Sequence, residues 1–259
     1  MLEHFFHTQL SLGLAECVVA ALTALSVMLL ASRRAPGLFR ELPIAQLRGV
    51  VQIVAVGAGL AFLLHGPQWT SLLVLAGMML AAASIVRKRA RGIPRAYLLA
   101  LTAIACGAGA VLAVMIVFGV IPLKITMLVP VGSMVIANTM NTQSLFLDRL
   151  RGEVSSHTGE IESALALGAA SETALLPYLK AAFRASLIPS MDNIRSLGIV
   201  WIPGIMAGMV LSGASPVYAA LYQFVVLSVI FSAAALTCYV ASQMVTRRIF
   251  NEQEQLVLR

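Results

Sequence analysis

Apolar stretches long enough to cross a bilayer recur along the whole of this chain, and most of them carry no charge. About 20 such residues wound as a helix span the hydrocarbon core. Of the 259 residues, 59% are hydrophobic and only 11% charged, against about 25% charged in an ordinary soluble protein. A soluble domain of this size could not hide that much apolar surface from water. The expected class is therefore all-α: a polytopic helical membrane protein forming one transmembrane domain over residues 1–259.

Seven spans are expected, over residues 10–31, 44–64, 70–86, 97–120, 125–147, 197–211 and 217–245. The fifth turns polar toward its end, at Asn138, Asn141, Gln143 and Ser144, and the sixth is short with Pro203 inside it. Basic residues decide the orientation. Arg33, Arg34 and Arg40 follow the first span, and Arg87, Lys88, Arg89, Arg91 and Arg95 follow the third. Arg149 and Arg151 follow the fifth, and Arg247 and Arg248 the seventh. With the N-terminus outside, every one of the 18 basic residues except Lys124 is cytoplasmic, which is the positive-inside pattern. Treating the sixth span as a re-entrant loop would move Arg247, Arg248 and Arg259 outside. Seven spans, N-out and C-in, give the better distribution.

A net charge of +7 would raise nucleic acid as a partner of a soluble protein. Here the cations sit at the ends of apolar runs, so lipid is the expected partner and nucleic acid is not. Cys17, Cys106 and Cys238 each lie within an apolar run and form no Cys-x-x-Cys pair, so neither a disulfide framework nor a zinc site is implied. The N-terminus lacks the basic stretch and cleavage site of a signal peptide, so the first run is expected to be retained. His4 and His7 with Glu3 form at best a conceivable metal clamp on a solvated terminus, and His65 and His157 are isolated. No metal site is assigned.

The long polar stretch, residues 148–196, falls on the cytoplasmic side. A short helix carrying Ile161, Ala164, Leu165 and Leu167 is expected to end at Gly168, which tolerates a left-handed backbone. Ser171 reads as the N-cap of a second, amphipathic helix with Glu172 in its first turn. That helix carries Leu175, Leu176, Leu179, Phe183 and Leu187 as a stripe and is expected to stop at Pro189. Such a pair at the membrane surface either anchors the loop or docks a cytoplasmic motor. No Gly-x-x-x-x-Gly-Lys occurs and no lysine follows a glycine, so an ATP-driven protein of this kind would need its ATPase on another polypeptide.

The segment Glu162-Ser-Ala-Leu-Ala-Leu-Gly168 resembles the coupling loop of ABC importer permeases, although Leu176-Pro177 comes earlier than that pattern has it. A closer resemblance is to the FetB-type permeases. It rests on Leu165-Ala-Leu-Gly168-Ala, Arg184-Ala-Ser-Leu-Ile-Pro189, Asp192, the run from Gly198 through Trp201, Pro203, Gly204 and Gly208, and Gly213-Ala-Ser-Pro216. Arg48-Gly-Val-Val-Gln52 and the Pro130, Met134, Asn138 pattern also fit. The resemblance implies a permease paired with a FetA-like ATPase that binds ATP and Mg, a homodimeric permease, a bacterial inner membrane, and export of iron. Plant relatives contribute to aluminium tolerance. It also implies ATPase coupling through Glu162, Gly168, Arg184 and Pro189, with no catalytic residue in this chain.

Polar groups at membrane depth are candidates for the substrate pathway: Glu16, Arg48, Gln52, Met134, Asn138, Asn141 and Asp192. Each also has a structural reading. Methionines pack, asparagines bond neighbouring helices, Glu16 and Arg48 can snorkel, and Asp192 suits an N-cap for the sixth span. Gly204 and Gly208, spaced Gly-x-x-x-Gly, suit close helix packing either within the chain or between copies. A retinal-type receptor is disfavoured because no span contains a lysine. A membrane enzyme is disfavoured because no catalytic constellation falls at one depth. An ion-coupled carrier remains the alternative, although no internal repeat is seen.

Overall fold

The computed structural model describes residues 9–31, 36–63, 66–90, 92–250 and 256. His4, His7, His65 and the basic residues Arg33, Arg34, Arg91 and Arg259 lie outside them. The described residues are helical with no β-strand, only two isolated bridges, Leu197 with Trp201 and Phe250 with Leu256. The chain divides into two compact units, Met1–Gly66 and Pro67–Arg259.

The first unit pairs α1 (Gln9–Ala31) with α2 (Pro36–Leu63). Helix α2 starts eight residues before the expected 44, because Pro36 fits a first helical position, where its missing N–H costs nothing. Pro43 stays inside the helix. Both helices present Leu, Val and Ile outward, among them Leu14, Val18, Leu22, Val51, Ile53 and Val54. A helix apolar on its open faces belongs in lipid or in a large core.

The second unit holds α3 (Thr70–Arg89), α4 (Ala96–Ile104), a π-helical turn (Ala105–Gly109), α5 (Ala110–Val117) and α6 (Ile125–Ser156). There follow α7 (Thr158–Ala166), α8 (Ser171–Arg195), α9 (Gly204–Leu211) and α10 (Pro216–Ile249). Five described helices are long and apolar enough to cross a membrane: Ser11–Leu29, Glu41–Gly59, Thr70–Arg89, Ala96–Val117 and Pro216–Ile249. The chain is a multi-pass membrane protein. Helix α6 starts at the expected Ile125 but continues to Ser156, and its polar lower half keeps it out of those five.

Side-chain contacts set the register. Arg248 donates to the Arg95 carbonyl at 3.0 Å, and the Thr102 hydroxyl lies 3.1 Å from Met244 Sδ. Helix α4 thus begins where α10 ends. Further up, Gly107 of the π-turn meets Thr237 so closely that an added Cβ would fall 2.6 Å from the Thr237 nitrogen. Phe146 packs edge-on to Phe183, with centroids 6.5 Å apart, and Ser186 Oγ approaches Cys238 Sγ at 3.8 Å. Gly132 of α6 lies against Leu75 of α3. So α3, α6 and α10 run one way, while α4–α5 and α8–α9 return between them.

Helix α8 overturns several expectations. It does not stop at Pro189 but runs through both Pro177 and Pro189 to Arg195. Ala170, not Ser171, is its N-cap, and Asp192 lies in its last turns rather than capping a later span. The reason is lengthwise packing. Leu175, Ala182, Ser186 and Ser190 are buried along one side, and the small side chains of Ala182, Ser186 and Ser190 let α6 and α10 approach. Tertiary contacts along the whole length outweigh the one backbone bond each proline removes. Only 204–211 of the expected sixth span is helical, about 12 Å at 1.5 Å per residue. That is too short to cross alone. Helices α8 and α9 both lie along α10, with residues 196–203 between them.

Candidate functional site

Two regions of the second unit bring polar and charged residues together: the corner where α7 joins α8, and the break between α8 and α9 above it.

At the corner, His157 Nδ1 lies 2.9 Å from the Glu153 carbonyl oxygen and 3.8 Å from its carboxylate. The imidazole ring rests 4.8 Å from the ring of Tyr178. The Tyr178 hydroxyl donates to Glu160 Oε2 at 2.8 Å, and that bond, with burial and the charges of Glu160 and Glu153, raises the phenol above its ordinary pKa. Ile161 buries into the core beneath. The turn closes as the sequence led one to expect. Gly168 adopts φ +87°, its N–H donates to the Leu165 carbonyl at 2.9 Å, and the Ala169 N–H reaches Ala164 at 3.0 Å. This pair of bonds satisfies carbonyls the helix would leave open. Glu162 is exposed beside it. So is Leu167, with 89% of its surface open at the tip of the corner. The sequence places Leu167 only in the apolar set of the short helix and not at an exposed site. A leucine in an apolar helical stripe reads as core until the turn that follows is seen to swing it outward.

Above the corner, Arg184 and Pro189 both sit exposed on α8, and Arg184 is four turns from the Gly168 tip. The structure therefore separates Arg184 and Pro189 from Glu162 and Gly168. Asp192 and Arg195 form an ion pair at 3.7 Å, with side chains 60% and 73% exposed. After Arg195 the backbone turns through Gly198 at φ +75°, whose N–H donates to Trp201, while the Trp201 indole N–H donates to Ser196 Oγ at 3.1 Å. Pro203 then starts α9. An added Cβ at Gly204 or Gly208 would meet nothing within 4 Å, so this small-residue face is open among the described residues.

On α6, Asn138 donates to the Met134 carbonyl at 3.0 Å and is satisfied within its own helix. Met134 packs against the core. Asn141 is exposed and lines a groove with Arg89, Met140, Ser144 and Asp148. Among the described residues, wholly buried Gln143 has no hydrogen-bond partner for either amide atom, nor has Gln223 of α10, and the Thr237 hydroxyl is likewise unpaired. Gln143 was noted in the sequence only as part of a polar stretch. Its burial is a property of the packed bundle.

Glu16, Arg48 and Gln52 are exposed on the helices of the first unit. Among the described residues no three of His, Cys, Asp and Glu gather as a metal site.

The comparisons agree on one grouping. Residues 14–250 match the uncharacterised protein family UPF0014. The chain is 31% identical over 212 residues to a protein of Escherichia coli named Probable iron export permease protein FetB, covering 82% of each chain. It is 31% identical over 221 residues to the UPF0014 membrane protein YjkA of Bacillus subtilis, covering 85% of this chain and 88% of that one. It is 27% identical over 246 residues to the Arabidopsis thaliana protein ALUMINUM SENSITIVE 3, covering 94% and 90%. No solved structure matches. Matched over nearly its whole length and aligned with relatives named for iron export and aluminium sensitivity, the chain belongs to the UPF0014 family of membrane proteins.

Proposed function

We propose that this chain is the membrane permease subunit of an ATP-driven, ABC-type transporter that exports iron or another metal species, with a FetA-like ATPase as a separate polypeptide. The observation that carries the reading is the α7–α8 corner. An almost fully exposed leucine, Leu167, stands at the glycine turn that ends α7, the helix of exposed Glu162, and Tyr178–Glu160 and Ile161 tie that helix down. An apolar knob on a braced corner is what a motor protein can grip and push. The relative named an iron export permease supplies the cargo class.

In this reading the chain crosses seven times, N-out and C-in, with α8 and α9 together making the sixth crossing. The described basic residues other than Lys124, and other than Arg184 and Arg195 on the upper part of α8, then face the cytoplasm. Two permeases and two ATPases form the working unit in a bacterial inner membrane, and ATP and Mg bind only on the partner. The open Gly204–Gly208 face suits contact with a second copy.

A specific observation favours one alternative. Interrupted helices like α8–α9 are also the binding elements of ion-coupled carriers. Co-expression with a FetA-like ATPase decides between the two. A stable complex, whose ATP hydrolysis falls at least tenfold when Leu167 and Glu162 are replaced by alanine, supports the permease. A chain that purifies without any ATPase and transports on an ion gradient supports the carrier.

A further inference from the structure

The exposed side of α8 carries Lys180, Arg184, Ile188, Asp192 and Arg195, each three or four residues from the next, with Met191 beside Asp192, so they form one stripe. Its upper part opens on a groove of about 490 Å³ lined by Arg184, Leu187, Met191, Asp192, Arg195 and Phe231 of α10. The stripe holds three cations and one carboxylate. Asp192 pairs with Arg195 through a long, exposed contact, a weak interaction. Lys180 and Arg184 have no ion-pair or hydrogen-bond partner among the described residues.

Depth makes this stripe unusual. Phe183 touches Phe146, which lies two residues above Asp148, the first charged residue of α6. Arg195 stands 12 residues higher on α8, about 18 Å, and it faces Phe231 near the middle of the 34-residue α10. Charges so far up the bundle do not face lipid; they line a watered route or a partner. A lysine or arginine near a helix end can snorkel to headgroups, but Arg195 is too deep for that and Asp192 too short. A basic residue in a last helical turn also offsets the helix dipole. That accounts for Arg195 and leaves Arg184, in mid-helix, without a structural role.

We infer that this stripe is the wall of the transport route and that it selects an anionic cargo bearing carboxylate or phosphate groups, so that a metal would travel as an anionic chelate and not as a bare cation. The inference rests on the permease reading and narrows its cargo. Net positive lining repels free metal cations and concentrates anions. Guanidinium groups offer the paired donors that carboxylate and phosphate accept. Asp192 then acts as a competing internal anion that cargo displaces from Arg195.

Trp201, hydrogen-bonded to Ser196 directly above Arg195, supplies a reporter. The purified permease is examined in a Trp69→Phe background, without any ATPase, so that a failure of partner docking leaves the measurement intact. Citrate, inorganic pyrophosphate, anaerobic Fe(II) and Mg(II) are titrated separately while Trp201 fluorescence is followed. A saturable response to citrate or pyrophosphate is expected, weakened at least tenfold in Arg184→Gln and Arg195→Gln. Asp192→Asn tightens it severalfold. The inference is overturned if only Fe(II) gives a saturable response and Asp192→Asn abolishes it, or if no anion responds. It also fails if the anion response survives in the Arg184→Gln, Arg195→Gln double variant. Should either arginine variant fold poorly, Asp192→Asn alone separates the outcomes, since an anion site and a cation site shift in opposite directions.

Discussion

The phenol of Tyr178 on α8 donates a 2.8 Å hydrogen bond to the carboxylate of Glu160 on α7, eighteen residues earlier in the chain. This bond and the His157 ring beneath it fold α7 back against α8. Tyr178→Phe removes only the hydroxyl. Because the pair is exposed, the expected loss is about 1 kcal/mol or less, read as a small fall in Tm. Coupling should suffer more than stability, with ATP hydrolysis by the complex dropping severalfold.

The same bond makes a prediction in pH. The hydrogen bond to Glu160, then burial and the nearby acidic charges, hold the Tyr178 proton more tightly in the folded chain than at its ordinary value of 10.0. A raised folded pKa gives stability that is complete below pH 10.0 and disappears as pH rises through the folded value. The Tm difference between wild type and Tyr178→Phe should therefore hold steady up to about pH 9.5 and shrink above it. A difference that grows with pH would show that the sign is wrong.

Gly107 sits in the π-turn against the backbone of Thr237. Backbone cannot rotate aside as a side chain can, so Gly107→Ala must push α10 away from the α4–α5 strut. Overpacking of this kind costs about 1–3 kcal/mol. Thermal unfolding in detergent should show it, while Gly77→Ala on α3, where a Cβ meets nothing within 4 Å, should leave Tm unchanged or raise it.

Gly168→Ala forces a side chain into φ +87° at the corner, at a cost of about 1–2 kcal/mol. Leu167→Asp touches no buried contact. It should leave the permease as stable as before and weaken ATPase binding at least tenfold, as measured by co-purification or by titration of the isolated ATPase.

Gln143 is buried with both amide atoms unpaired. Replacing a buried polar group that lacks partners by an apolar one of similar size is neutral or stabilising. Gln143→Leu should hold or raise Tm by an amount corresponding to about 0–2 kcal/mol. A clear fall in Tm would mean that the amide is satisfied in the membrane-embedded protein.

Much of this molecule could be read without its structure. Helices α1, α3 and α10 and the α4–α5 passage fall within a few residues of the expected spans, because apolar length alone dictates a crossing helix in lipid. The turn at Gly168 was legible for a local reason too, since few residues but glycine accept a left-handed backbone there. What only the tertiary structure decided lies where local and long-range forces disagree. Pro189 signals a helix end by itself, yet the small side chains of Ala182, Ser186 and Ser190, seated along α6 and α10, hold α8 together to Arg195. From this follow the interruption at 196–203, the elevation of Asp192 and Arg195 above the corner, and the separation of Arg184 from Glu162. Asn138 and Gln143 are equally polar in sequence. One bonds its own helix and the other is sealed without a partner, and the packing of neighbouring helices alone tells them apart.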